Sequence, residues 1–62
     1  MTPREKEVLR LAAEGASEAE TASVLSISRQ TVKTHRKAVY AKLGARGVAD
    51  AVARAFRAGM LT

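Results

Sequence analysis

Helix punctuation divides this chain into four short segments. Thr2-Pro3-Arg4-Glu5 opens the first, with threonine at the N-cap, proline at N1 where its missing N–H costs nothing, and glutamate at N3 completing a capping box. Gly15 follows as a stop. Ser17-Glu18-Ala19-Glu20 repeats the capping box, Ser28 supplies another N-cap, and Gly44 and Gly59 are further stops. Between these marks the apolar residues keep a helical period. Val8, Leu9, Leu11 and Ala12 give the first segment its face, Ala22, Val24 and Leu25 are the buried candidates of the second, and Val32, Val39 and Leu43 fall at i, i+7 and i+11 in the third. No run alternates with period two over strand length, and no Asn-Gly or Asp-Gly hairpin turn occurs. The expected fold is therefore all-α, a four-helix bundle with helices over about 3–14, 18–25, 29–43 and 46–58. Segments two and three, joined by Ser26, Ile27 and Ser28 with Ile27 anchoring the turn, have the form of a helix-turn-helix.

Charge is distributed unevenly over these segments. Residues 1–28 set Arg4, Lys6 and Arg10 against Glu5, Glu7, Glu14, Glu18 and Glu20, a net of −2. Residues 29–46 carry Arg29, Lys33, Arg36, Lys37, Lys42 and Arg46 with no acid, a net of +6, and the whole chain stands at +5. Lys33 and Lys37 lie one turn apart on a face that the apolar stripe does not use. Like charges at that spacing weaken an isolated helix slightly, so a negatively charged partner explains them better than self-stabilisation does. A basic patch confined to one helix and its exit is the electrostatic footprint of a nucleic-acid binder.

Other classes of function find little support. The chain has no cysteine, which removes disulfide frameworks and zinc fingers and points to the cytoplasm. Its single histidine, His35, is too little for a metal cluster, so neither metal nor cofactor is expected. No apolar h-region follows the N-terminus and no apolar run approaches the roughly 20 residues of a membrane span. The glutamates of helices one and two read as solvated capping or i,i+4 charges rather than an acid–base pair, and no nucleophile constellation or phosphate-binding glycine loop is present. An enzyme is not expected. With two aromatics, Phe56 and Tyr40, the chain lacks the stacking platform of single-strand or RNA binders, and Tyr40 reads as a packing residue.

Helix four carries more apolar surface than one core needs. Asp50, Arg54 and Arg57 form a narrow polar side, and Val48, Ala49, Ala51, Val52, Ala53, Ala55 and Phe56 fill the rest. The excess, at Ala49, Ala53 and Phe56, suits a second copy of the chain, although surface alanines are also simply good helix formers.

Two blocks, Thr2-Pro3-Arg4-Glu5 with Glu7-Val8-Leu9 and Thr31-Val32-Lys33-Thr34-His35 with Lys42-Leu43-Gly44, give the chain a clear likeness. Over about residues 1–60 it closely resembles the LuxR-type (GerE, NarL) DNA-binding domain. The resemblance implies a single domain over 1–62, a regulator of bacterial transcription or the output domain of one such as a response regulator, with helix three in the major groove and helix four mediating dimerisation. By position it implies base contacts from Lys33, Thr34 and Lys37, and phosphate contacts from Ser28, Arg29, Thr31, His35 and Arg36. The chain departs from the pattern at Ala16, where a larger apolar residue is common, and at Thr21, where isoleucine is usual, which predicts a looser core. Gly47 leaves the cap of helix four open.

The residue chemistry agrees with those roles. Lysine donates to the O6 and N7 acceptors of guanine, and Thr34 has a methyl for thymine or a hydroxyl for phosphate. His35 has two readings, a ring packed on helix two with one nitrogen at a phosphate or a purely structural side chain; Arg36 likewise reaches either a phosphate or the flank of helix four. The expected partner is double-stranded DNA, bound by a homodimer on half-sites about 10 base pairs apart, with RNA polymerase a candidate further partner and no membrane. Two other readings stand beside it: a small helical protein-interaction module docking through helix four, and a sigma-factor-like promoter-binding domain.

Overall fold

The computed structural model describes residues 1–61. It contains α1 (Pro3–Ala13), α2 (Glu18–Leu25), α3 (Arg29–Leu43) and α4 (Val48–Arg57), and no strand among the described residues. Both capping boxes form. Thr2 Oγ1 accepts the Glu5 N–H at 3.2 Å while Glu5 Oε1 accepts the Thr2 N–H at 2.9 Å, and Ser17 and Glu20 make the same exchange at 3.0 and 2.8 Å. Ser28 caps α3, its Oγ accepting the Thr31 N–H at 3.0 Å.

All four helices end alike. A residue in the left-handed region closes each one, and the N–H of the following residue reaches back five positions: Ala16 to Leu11 O, Ile27 to Ala22 O, Ala45 to Tyr40 O and Met60 to Ala55 O. The left-handed residue is Gly15, Gly44 and Gly59 in three cases and Ser26 (φ 56°) in the fourth. At the α2 end this places Ile27 back against Ala22, so the turn of the helix-turn-helix is closed by its own apolar anchor.

The core has two lobes strung along α1 and α3. Val8, Ala22 and Val32, with Leu25 and Ile27, join α2 to one end of this pair. Leu9, Val39 and Ala55, with Leu43, Val52 and Leu61, join α4 to the other. Adjacent positions on α1 and positions two turns apart on α3 thus serve different lobes, and α2 and α4 do not pack on each other. As a result α3 is held along its whole inner stripe and is free on the opposite side.

Four expectations need correction. Val24 is not buried but 65% exposed, and Thr21 is fully buried in its place, because Val24 is rotated about 100° from its neighbour Leu25, away from the lobe that Ala22 and Leu25 enter. Helix four begins at Val48, two residues later than expected, since Gly47 is extended and lacks a capping side chain. Its first turn is held from within by Asp50, whose carboxylate accepts the Arg46 N–H at 3.1 Å and pairs with Arg54 Nε at 3.1 Å. The Arg46 N–H and then Arg54 lower the Asp50 pKa. Third, Glu5 is not a solvated cap but 6% exposed: its carboxylate meets Lys42 Nζ at 2.6 Å, joining the start of α1 to the end of α3. The Lys42 hydrogen bond, followed by the Thr2 N–H, lowers its pKa to about 2. Helix one also ends one residue early, with Glu14 as its C-cap.

Candidate nucleic-acid interface

The outer side of α3 is defined by the inner one. With Val32 and Val39 buried and Leu43 half-buried, the positions directly opposite are Gln30, Thr34, Lys37 and Ala41, all exposed, and Lys33 flanks them. Arg29, Lys33 and Lys37 are exposed, and among the described residues none of them pairs with a carboxylate. Ser28 and Thr31 sit at the N-terminus of the same helix, their hydroxyls 2.8 Å apart. Free backbone N–H groups and the positive end of the helix dipole lie there, a favourable place for a phosphate.

Other members of the basic stretch are committed elsewhere. Lys42 is held by Glu5, so its charge is compensated within the fold. Arg36, expected among the phosphate contacts, is half-buried; its NH2 donates to the Ala16 carbonyl at 3.0 Å, and its Nε is buried without a partner. It therefore ties α3 to the corner between α1 and α2. His35 is also half-buried, on the border between the inner stripe and the surface.

Gln30 is the position that sequence reasoning passed over. It carries no charge, but its i, i+4, i+7 spacing with Thr34 and Lys37 is the signal that places it on the same face. Thr34 is also more constrained than its exposure suggests, because its hydroxyl donates to the Gln30 carbonyl at 3.1 Å. A cleft of about 400 Å³ between α1 and the C-terminal turn, bounded by Lys6, Glu7, Leu9, Arg10, Met60 and Leu61, shares no residue with this face.

On α4 the buried residues are Ala51 and Ala55. Ala49, Ala53 and Phe56 are exposed together on the far side, Phe56 by 52%. Among the described residues no helix is long and apolar enough to cross a membrane.

A rigidly supported helix-turn-helix with an exposed, uncompensated basic face on its second helix defines a DNA-binding domain. The chain belongs to the luxR family of bacterial regulatory proteins, whose family model matches residues 1–55. Its structure is similar to that of the transcription factor GerE, with a TM-score of 0.92 and 32% identity over 100% of this chain and 92% of the other. It is 39% identical over 62 residues to YgeK of Escherichia coli K12, described as an uncharacterised response regulatory protein, covering 100% of this chain and 42% of that one. It is 41% identical over 61 residues to the quorum sensing-dependent transcriptional regulator VjbR of Brucella ovis, covering 98% of this chain and 24% of the relative. The chain thus spans less than half the length of these two relatives. It carries the helix-turn-helix DNA-binding domain of that family.

Proposed function

We propose that this domain binds duplex DNA sequence-specifically as a symmetric dimer, with α3 lying in the major groove of each half-site. The carrying observation is the exposed surface of α3, where Lys37 opposite the Val32–Val39 stripe, Lys33 on its flank and Arg29 at the start of the helix stand without carboxylate partners among the described residues. B-DNA's major groove admits one α-helix. Lys33 and Lys37 take guanine O6 and N7, and Thr34 reads the base between them. Ser28, Arg29 and Thr31 hold the phosphates beside the start of α3, with His35 at the edge of the contact. Ala49, Ala53 and Phe56 of α4 meet the same residues of a second copy. The activity is binding alone, with no chemical step, and its place of action is the cytoplasm. In a longer regulator such a domain serves as the output end.

Selection of bound duplexes from a random DNA pool at two salt concentrations tests this. A two-fold symmetric motif is expected, with log affinity falling steeply against log salt as counterions are released. Lys33→Ala and Lys37→Ala should each cost about 1–3 kcal/mol on the selected site and flatten its preference. Equal binding of selected and scrambled DNA by parent and variants would remove α3 as the reader.

A further inference from the structure

We propose that Gln30 and Thr34 form a reading pair for A·T base pairs, in which the Thr34 methyl contacts the C5-methyl of a thymine and the Gln30 amide takes N6 and N7 of an adenine. This rests on α3 entering the major groove. It begins from the hydrogen bond between Thr34 Oγ1 and the Gln30 carbonyl, 3.1 Å within the helix. A threonine hydroxyl has a single proton to donate. With that proton directed back into the helix, the oxygen has only lone pairs left for a partner, and a phosphate oxygen, itself an acceptor, is a poor one. The same bond fixes the side-chain rotamer, since a threonine in a helix chooses between rotamers largely by whether its hydroxyl makes this contact. The methyl group is then held in one direction on an exposed residue, on the stripe directly opposite the buried one.

In the major groove the feature that matches a methyl group is the C5-methyl of thymine. Gln30 lies one turn earlier on the same stripe, about 6 Å along the axis, so the two side chains face base pairs no more than two steps apart. Its carbonyl accepts from Thr34, while its side-chain amide has no intramolecular partner among the described residues. An outward glutamine amide donates and accepts in the pattern that adenine N7 and N6 complement. Ala41 continues the stripe with only a methyl, leaving room for close approach at that end. Lysine cannot discriminate in this way, because an ammonium group only donates. Lys33 and Lys37 can donate to adenine N7 or thymine O4 as well as to guanine, so telling an A·T pair from the others falls to Gln30 and Thr34.

The test uses the enriched duplex from the selection, remade with each thymine in turn replaced by deoxyuridine, which removes the C5-methyl and keeps every hydrogen-bonding group. Replacement at one symmetric pair of thymines removes one methyl from each half-site and should weaken the parent by about 10- to 25-fold, about 3- to 5-fold for each buried methyl. Thr34→Ser keeps the hydroxyl and removes the methyl, so it should bind thymine and uracil versions equally. Thr34→Val keeps the methyl and should retain the preference. Gln30→Ala should lose discrimination at one adenine by about ten-fold. A specific motif that is indifferent to every uracil replacement, or a Thr34→Ser variant that stays sensitive, overturns the pair while leaving the groove reading intact. No enriched motif at all overturns the groove reading and the pair with it.

Discussion

Single residues in this domain show what a polar group does when its surroundings are apolar. Thr21 is fully buried and its hydroxyl has no hydrogen-bond partner. An unsatisfied buried hydroxyl costs about 1–3 kcal/mol, so Thr21→Val, which keeps the shape, should raise stability by about 1 kcal/mol in urea unfolding. An unchanged or lowered midpoint would mean that the hydroxyl is satisfied in solution. Arg36 is only partly satisfied: its Nε is buried without a partner, while its NH2 hydrogen bond to Ala16 O links α3 to the preceding corner. Arg36→Ala should lower stability by about 1 kcal/mol and leave the slope of log affinity against log salt unchanged, whereas Arg29→Ala should reduce that slope by about one phosphate contact. A reduced slope in Arg36→Ala would return the guanidinium to the phosphates. Neither residue's role was legible in sequence. Thr21 was noticed only as a departure from isoleucine, and the choice of Thr21 over Val24 depends on how an eight-residue helix is rotated by its neighbours.

At the scale of elements the sequence is far more informative. Capping boxes, glycine stops and the i, i+7, i+11 stripe mark all four helices because these signals are local, and each is satisfied within a few residues of where it is written. Apart from the start of α4, where Gly47 offers no capping side chain, what failed was non-local. The Glu5–Lys42 contact joins residues 37 positions apart, and nothing near either marks the other. This joint is also the element most sensitive to acid. The folded Glu5 pKa is depressed to about 2, below the usual carboxylate value, so its stabilising contribution is fully present above about pH 4.5 and is lost as pH falls toward 2. Glu5→Gln should therefore be less stable than the parent at neutral pH, and the gap should close between about pH 4.5 and 2 in pH-dependent denaturation. A gap independent of pH would assign the effect to packing. The turn of the helix-turn-helix offers a second check. Ser26 adopts the left-handed conformation that glycine takes at the other three helix ends, so Ser26→Gly should stabilise by about 0.5–1 kcal/mol, with a lowered melting temperature as the contrary result.

For the whole molecule, the two-lobed core separates the tasks of its surfaces. α3 is anchored by both lobes and turns its outer stripe to solvent, while α4 belongs to one lobe and exposes Ala49, Ala53 and Phe56 on its far side. Because α2 and α4 do not touch, a second copy seated on α4 leaves the helix-turn-helix unobstructed. In the proposed dimer, binding of one half-site would make the second an intramolecular event, raising affinity on the order of a hundred-fold over a single half-site without any new base contact. Phe56→Asp places a charge in that seam, and since Phe56 is 52% exposed the monomer should keep its fold by circular dichroism. The variant should bind a duplex carrying one half-site as the parent does, and should lose most of the gain the parent shows when a second half-site is added about 10 base pairs away. Moving the second half-site by about 5 base pairs turns it to the opposite side of the duplex and should abolish the gain for the parent as well. If Phe56→Asp kept the full gain, the two copies would meet through another surface; if it weakened single half-site binding equally, α4 would be acting on α3 through the shared Leu9–Val39–Ala55 lobe rather than on a partner.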